Sequence, residues 1–345
     1  MPSPARPLIA LLIAASALSA GESVTAFMYS EYIDPSLVAE FTKRTGYDLK
    51  IEVYEAQEDM IAKLQTGGTD QYDVVVATDV IIKQMIALKL VQPLDQQLIP
   101  NRANVAKTWL NPPFDANNQY TYPYFWGSVG IMYDTNKVKA SPCSWKWVLD
   151  PAAAPGPYVL LDEAKTMLGC TLLAMGKDIN SVDLAEVRAA KDKLVAAKKG
   201  AKCLGFDSGT GGKNKVLAGE AAVAVVFNGD AARAAVEKPN LRYEVPVEGG
   251  NLWVDVMLVT SKAPNKKGAH ALVNFLLDAD IAARNANFIH YASPIEAALP
   301  KITPEDLKNP AIYPPAAVMS KLLYLQDLGK ASKLWDSAWT AVKSE

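Results

Sequence analysis

One stretch of this chain, Asn251-Leu252-Trp253-Val254-Asp255-Val256-Met257-Leu258, sets a carboxylate beside an indole in an otherwise apolar run. Side chains alternate across a strand, so Leu252, Val254, Val256 and Leu258 share one face and Trp253, Asp255 and Met257 the other. A carboxylate in that company is costly to desolvate unless a cation meets it. The neighbouring indole offers a face to which ammonium groups are attracted. The plainer alternative is an acid bonded to a backbone amide or an Arg, beside a core tryptophan.

Acids recur where other apolar runs end. Tyr29-Ser30-Glu31-Tyr32 follows one, Thr78-Asp79 a second, Asp162-Glu163 a third and Asn228-Gly229-Asp230 a fourth. Together with Tyr29, Tyr32, Phe227, Trp253 and Tyr291 they form an inventory of carboxylates and rings with almost no basic group. Such a set suits a flexible organic cation, because carboxylates hold ammonium ends while rings cover the methylenes. It suits an anion badly. Taken singly, Glu31 or Asp79 could instead cap a helix.

The elements that must position these residues alternate. Val24 to Tyr29 reads as a strand, Leu37 to Thr45 as a helix started by Asp34-Pro35-Ser36 and ended by Gly46, and Asp48 to Tyr54 as a strand. A helix follows near Glu58 to Leu64, then the short apolar strand Asp73 to Ala77, of the kind buried on both faces in a parallel sheet. The pattern returns with strand Tyr158 to Leu161, helix Leu184 to Lys199 and strand Ala221 to Phe227. Strands Tyr243 to Val245 and Leu252 to Val259 and a helix over Lys267 to Leu277 come next. The tail, Leu322 to Val342, is expected to be one helix docked by Leu323, Leu334, Trp335 and Trp339. This is an α/β rhythm with ligands expected at the carboxyl ends of strands. Strand-end acids in both halves point to a cleft between two lobes that close about a hinge.

At 345 residues the chain has room for two cores. Its 35 basic and 37 acidic residues, a formal charge of -2, lie without long runs, so neither nucleic acid nor an anionic membrane is an expected partner. Residues 1–21, with Arg6 ahead of an apolar run and small residues, read as a signal peptide, so an exported, periplasmic protein is expected. Cys143, Cys170 and Cys203 are odd in number; Cys170 with Cys203 could pair, but three small buried hydrophobes fit better. His270 and His290 are too few for a metal site or a Ser/His/Asp triad. Gly209-Thr210-Gly211-Gly212 lacks a dinucleotide-binding context and reads as a loop. Asp230 with Asp255 could serve hydrolysis if suitably spaced, but nothing marks out an acid and a nucleophile.

The chain resembles the periplasmic polyamine-binding proteins of ABC transporters, the spermidine/putrescine-binding group, over nearly its whole mature length. The resemblance rests on Tyr29-Ser30-Glu31-Tyr32, Tyr72-Asp73-Val74-Val75-Val76, Asn111-Pro112-Pro113-Phe114-Asp115 and Tyr122-Pro123-Tyr124-Phe125-Trp126-Gly127. It continues in Ser144-Trp145, Phe227-Asn228-Gly229-Asp230, Pro246-Val247-Glu248-Gly249-Gly250, Trp253-x-Asp255 and Asn274-Phe275-Leu276-Leu277.

The resemblance implies a two-lobed α/β type II periplasmic binding fold with a hinge and an interlobe ligand cleft. It implies capture of putrescine or spermidine and delivery to an ABC permease, by a monomer with no cofactor, no metal and no catalysis. Trp253 and Asp255 match the family's tryptophan and aspartate that anchor an amine. Asp230 matches an acid of the putrescine branch, and Phe227 an aromatic that stacks on the ligand. Ser30 and Tyr32 match first-strand cleft residues, with Tyr29 where a Trp is usual. Tyr291, Gln326 and Ser208 match later positions, and Glu163 stands where spermidine binders carry an Asp.

Two departures redistribute the charge: Thr166 replaces a second acid, and Thr78-Asp79-Val80 loses an aromatic and adds an acid. Asp230 and Thr166 together tilt the expectation toward putrescine, with spermidine and agmatine open. A different small cation, a metal ion or a carboxylate-dependent hydrolase are the alternatives. The lobes are expected at 22–127 plus about 256–295 and at 128–255 plus about 296–345.

Overall fold

The computed structural model describes residues 22–139 and 141–345; the expected signal peptide, residues 1–21, lies outside them. Its strands in chain order are β1 (Ser23–Tyr29), β2 (Asp48–Tyr54), β3 (Val74–Thr78), β4 (Val91–Gln92), β5 (Tyr122–Asp134) and β6 (Tyr158–Leu161). There follow β7 (Cys203–Asp207), β8 (Val223–Phe227), β9 (Leu241–Glu244), β10 (Gly250–Thr260) and β11 (Leu322–Tyr324). They are joined in the order β2-β1-β3-β10-β5-β8-β6-β7.

Two parallel units make up this order. β1 runs parallel to β2 and β3, and β6 parallel to β7 and β8. Local signals set the connections. The helix Pro35–Thr45 starts where Asp34 accepts from the Ser36 amide and stops at Gly46, whose φ of 79° suits glycine. Every residue of β3 is buried, which is why it is a continuous apolar run rather than an alternating one.

The long strands β5 and β10 bind the units together. They pair antiparallel from Leu252 opposite Ser128 to Met257 opposite Tyr122, with a register shift between Asp255 and Val256. Past Ser128, β5 leaves β10 and pairs with β8 and β9, while Asp255 to Val259 of β10 pair with β3. All eleven residues of β10 are buried, and its two faces enter different cores. Trp253 and Met257 join one cluster; Leu252, Val254, Val256 and Leu258 join the other.

Two sequence expectations need correction. The tail is not one helix: Leu322–Tyr324 adds to β10 as a parallel strand, and the helix is Ser332–Ser344. Trp335 is buried there, but Leu323 points to solvent at 40% exposure. Gly209 to Gly212 is not a loop but the first turn of the helix Gly209–Ala218, directly after β7, with Ser208 accepting from the Gly211 amide as its cap. The cap and the helix beyond it outweigh the glycines' poor helix propensity. All three cysteines are free; Cys143 and Cys170 are buried and Cys203 half-buried.

Candidate functional site

Asp255 lies at the crossing of the two long strands, opposite Thr78 on one side and Phe125 on the other. The register shift leaves Tyr124 as an extra residue of β5 beside it. Tyr32, in the turn after β1, donates its hydroxyl to Asp255 Oδ2 at 2.6 Å. That phenol is fixed in turn, since Tyr124 Oη donates to the Tyr32 carbonyl and accepts from Asn285 Nδ2, both at 2.7 Å.

Burial raises the Asp255 carboxyl to about 7, although the hydrogen bond from Tyr32 pulls it back; the Glu163 charge raises it further. Asp79, the residue after β3, is raised to about 8 by burial and by the Asp255 charge. Thr78 donates to Asp79 at 3.2 Å. Glu163 sits at the end of β6, half-buried, and accepts from Thr166 at 2.8 Å. Its carboxyl is also raised, first by burial and against the Thr166 hydrogen bond. None of these three acids has a cationic partner within ion-pair distance among the described residues. A buried acid left that way favours its neutral form until a cation arrives.

Rings enclose the acids. Trp253 meets Tyr291 edge to face at 5.2 Å between centroids and Phe227 at 6.0 Å. Tyr32 lies 5.9 Å from Tyr291 and 5.8 Å from Tyr29. Tyr29 and Tyr54 are 4.5 Å apart. Gly229 permits this packing, because a Cβ there would stand 2.4 Å from the Tyr291 ring.

Asp230 departs from the expectation of a free anchor. It is buried, but Arg233 Nη2 donates to its Oδ1 at 2.7 Å, and Arg233 Cζ lies 5.9 Å from the Tyr291 ring centre. Burial still raises this carboxyl, against the pull of the Arg233 and Lys213 charges. The reading of the cleft as almost without basic groups overlooked this guanidinium.

The structure thus brings Tyr29, Tyr32, Thr78, Asp79, Glu163, Phe227, Trp253, Asp255 and Tyr291 into one neighbourhood, with Asp230 at its Tyr291 side. Four expected residues stay at the surface. Ser30 and Glu31 are exposed in the turn after β1, with Glu31 at φ 55°. Ser208 is an exposed helix cap, and Gln326 is exposed, its backbone amide donating to Asn180 Oδ1. Sequence reasoning missed Tyr54, Tyr124, Thr166 as a hydrogen-bond donor and Arg233. Arg233 and Thr166 each had a local signal, a spacing of three residues from Asp230 and from Glu163.

Two openings lie elsewhere. One of about 100 Å³ is lined by Trp109, Phe114, Val254, Val256 and Tyr324, on the face of β10 opposite Asp255. A groove of about 550 Å³ is lined by Gln96, Arg102, Asn117 and Tyr122. Neither contains one of the acids, so the concentration of buried charge, not the size of an opening, marks the candidate site. Among the described residues no group of three or more His, Cys, Asp or Glu could hold a metal ion, and no helix is long and apolar enough to cross a membrane.

Two α/β units joined by long crossing strands, with acids and rings at the crossing, define a type II periplasmic binding fold. The chain belongs to the bacterial extracellular solute-binding protein family, which it matches over residues 36–315. It is 31% identical over 338 residues to the spermidine/putrescine-binding periplasmic protein of Salmonella typhimurium, covering 97% of this chain and 96% of the relative. It is 30% identical over 358 residues to the putrescine-binding periplasmic protein of Escherichia coli, covering 97% and 95%. Among solved structures, the spermidine/putrescine ABC transporter substrate-binding protein of Streptococcus pneumoniae superposes with a TM-score of 0.80 at 29% identity, covering 93% of this chain and 99% of that one.

Proposed function

We propose that this protein captures a polyamine, putrescine or spermidine, in the cleft at the β5–β10 crossing and delivers it to the membrane permease of an ABC transporter. The observation that carries the reading is Asp255: a buried carboxylate held by a phenol and enclosed by rings, with no cation of its own. An alkylammonium meets that charge while Trp253, Phe227 and Tyr291 cover its methylenes. The names of the relatives point the same way.

The proposal is capture without turnover; the engagement of Asp230 by Arg233 supports it only against hydrolysis by the Asp230–Asp255 pair. The protein then acts as a periplasmic monomer, exported by its first 21 residues and indifferent to nucleic acid.

The proposed lobes are 22–127 plus about 256–306 and 128–255 plus about 307–345, with the last boundary later than the expected 295. The Ser332–Ser344 helix favours the second assignment for the tail, since Trp335 Nε1 donates to the Ser181 carbonyl. Residues 296–306 pull the other way: Asp306 bonds His290, and Thr303 bonds Asn287. The last crossing between lobes therefore falls after residue 306.

A thermal-shift panel of putrescine, spermidine, cadaverine, agmatine, amino acids and divalent metals tests the reading. A polyamine should raise Tm by several degrees at concentrations well above Kd. A shift given only by a metal or an amino acid would overturn it.

A further inference from the structure

The ligand's length and charge remain to be assigned, and the answer rests on the amine reading above. Asp230 lies in the first turn of the helix Asn228–Glu237, and Arg233 follows one turn later. The guanidinium has three attachments. Nη2 donates to Asp230 Oδ1 at 2.7 Å, Nη1 donates to the Ile289 carbonyl at 3.1 Å, and Cζ lies 5.9 Å from the centre of the Tyr291 ring. The same ring packs against Trp253 and Tyr32. The Asp230 side chain is only 6% exposed, with Thr210 as its other donor at 3.4 Å.

An ammonium arriving at Asp230 would have to displace the guanidinium or sit beside it. Displacement forfeits a charge-assisted hydrogen bond and the Ile289 bond. Sitting beside it crowds two cations around one carboxylate in a poorly solvated corner. Asp255, bonded by an uncharged phenol, presents neither obstacle. The acids without a resident cation therefore belong to β10 and to the ends of β3 and β6, namely Asp255, Asp79 and Glu163.

We propose that Arg233 is a selectivity residue: a resident cation that occupies Asp230, withholds it from the ligand and disfavours an amine long enough to carry a further ammonium to that side. A third ammonium finds no free carboxylate at the Asp230 side and meets a fixed positive charge there. Selectivity then comes from an obstructing charge as much as from an attracting one.

Calorimetric titration of the full chain with putrescine and with spermidine tests this. Arg233→Met keeps the side-chain stem against Tyr291 without the charge, and Arg233→Gln keeps a hydrogen-bond donor toward Asp230. The wild-type protein should bind putrescine more tightly than spermidine. Each single variant should shift the ratio toward spermidine by roughly tenfold or more. Combining Arg233→Met with Asp230→Asn should return the ratio to the wild-type value, because the released carboxylate is gone. If a folded single variant changes both affinities by the same factor, or neither, Arg233 is a structural partner only and the proposal is overturned. A wild-type preference for spermidine overturns it too. Wild-type protein that binds neither amine instead overturns the amine reading, so the two failures are distinct. Should Arg233→Met not fold, the same comparison is made with Arg233→Gln alone and in combination with Asp230→Asn.

Discussion

Asp255 and Asp230 are buried to nearly the same extent, at 6% and 4% exposure, yet the fold treats them in opposite ways. Asp255 receives a phenol hydroxyl at 2.6 Å. Asp230 receives a guanidinium at 2.7 Å. A neutral donor orients a carboxylate and satisfies a lone pair, but it leaves the charge uncompensated. A guanidinium does both. Burial raises both carboxyls, and only at Asp230 do cationic groups oppose it. Asp255, enclosed by rings and held by a neutral donor, is therefore the one of the two left open to an external cation, while the charge of Asp230 is already met from within the chain.

The sharpest way to break this contrast is to neutralise each acid in turn. Asp255→Asn should weaken polyamine binding by roughly 2–5 kcal/mol, tens to thousands fold, in calorimetric titration. Its ligand-free stability should hold or rise, because the amide removes a group that is costly to ionise in place. Asp230→Asn should do the reverse to stability. It strands Arg233, whose side chain is 24% exposed, so urea unfolding should show a loss of roughly 1–3 kcal/mol. Equal stability losses in the two variants would erase the distinction between receptor and scaffold.

A pH series gives a smaller, graded effect. Free aspartate ionises near 4 in the unfolded chain, whereas Asp255 and Asp79 are raised to about 7 and about 8. Below pH 4 both are protonated whether the chain is folded or not, and their contribution to stability is fully present. Between pH 4 and 8 the unfolded chain ionises first, so this contribution declines and is lost as pH passes the folded values. Ligand-free melts should therefore lose stability from pH 5 to pH 8. Polyamine affinity should rise over pH 6 to 8, because an ammonium favours the ionised acids. In Asp79→Asn the stability slope between pH 7 and 8 should shrink. A flat profile in both measurements would mean that the acids are already ionised without ligand.

Legibility in the sequence followed the range of the interactions. The parallel units were readable because apolar strands and capped helices are local patterns: Asp34-Pro35 with Gly46 announces one helix, and Val74-Val75-Val76 one strand. Trp253 and Asp255 were readable because alternation alone puts them on one face. The β5–β10 crossing was not, since the pairing of Asp255 with Phe125 joins segments about 130 residues apart. The Tyr32 and Tyr124 hydroxyls were invisible as donors for the same reason. The tail was misread because Leu322–Tyr324 takes its strand form from pairing with β10, and no local period predicts that. Arg233 was within reach at one turn from Asp230, but an inventory of strand ends passes over a helix interior.

The finest test of the comparison removes only the neutral donor. Tyr32→Phe keeps the ring that packs against Tyr124, Phe125 and Tyr291 and deletes the hydroxyl that meets Asp255. Losing one such hydrogen bond should cost about 1 kcal/mol of polyamine affinity, roughly fivefold. The pH dependence tells more than that number. The hydroxyl favours the ionised carboxylate, so without it Asp255 holds its proton to higher pH. The midpoint of the affinity rise should therefore move upward in Tyr32→Phe, with a larger deficit at pH 6 than at pH 8. A deficit of the same size at both values would show Tyr32 acting through ring packing alone, and the difference between the two acids would then rest on Arg233 by itself.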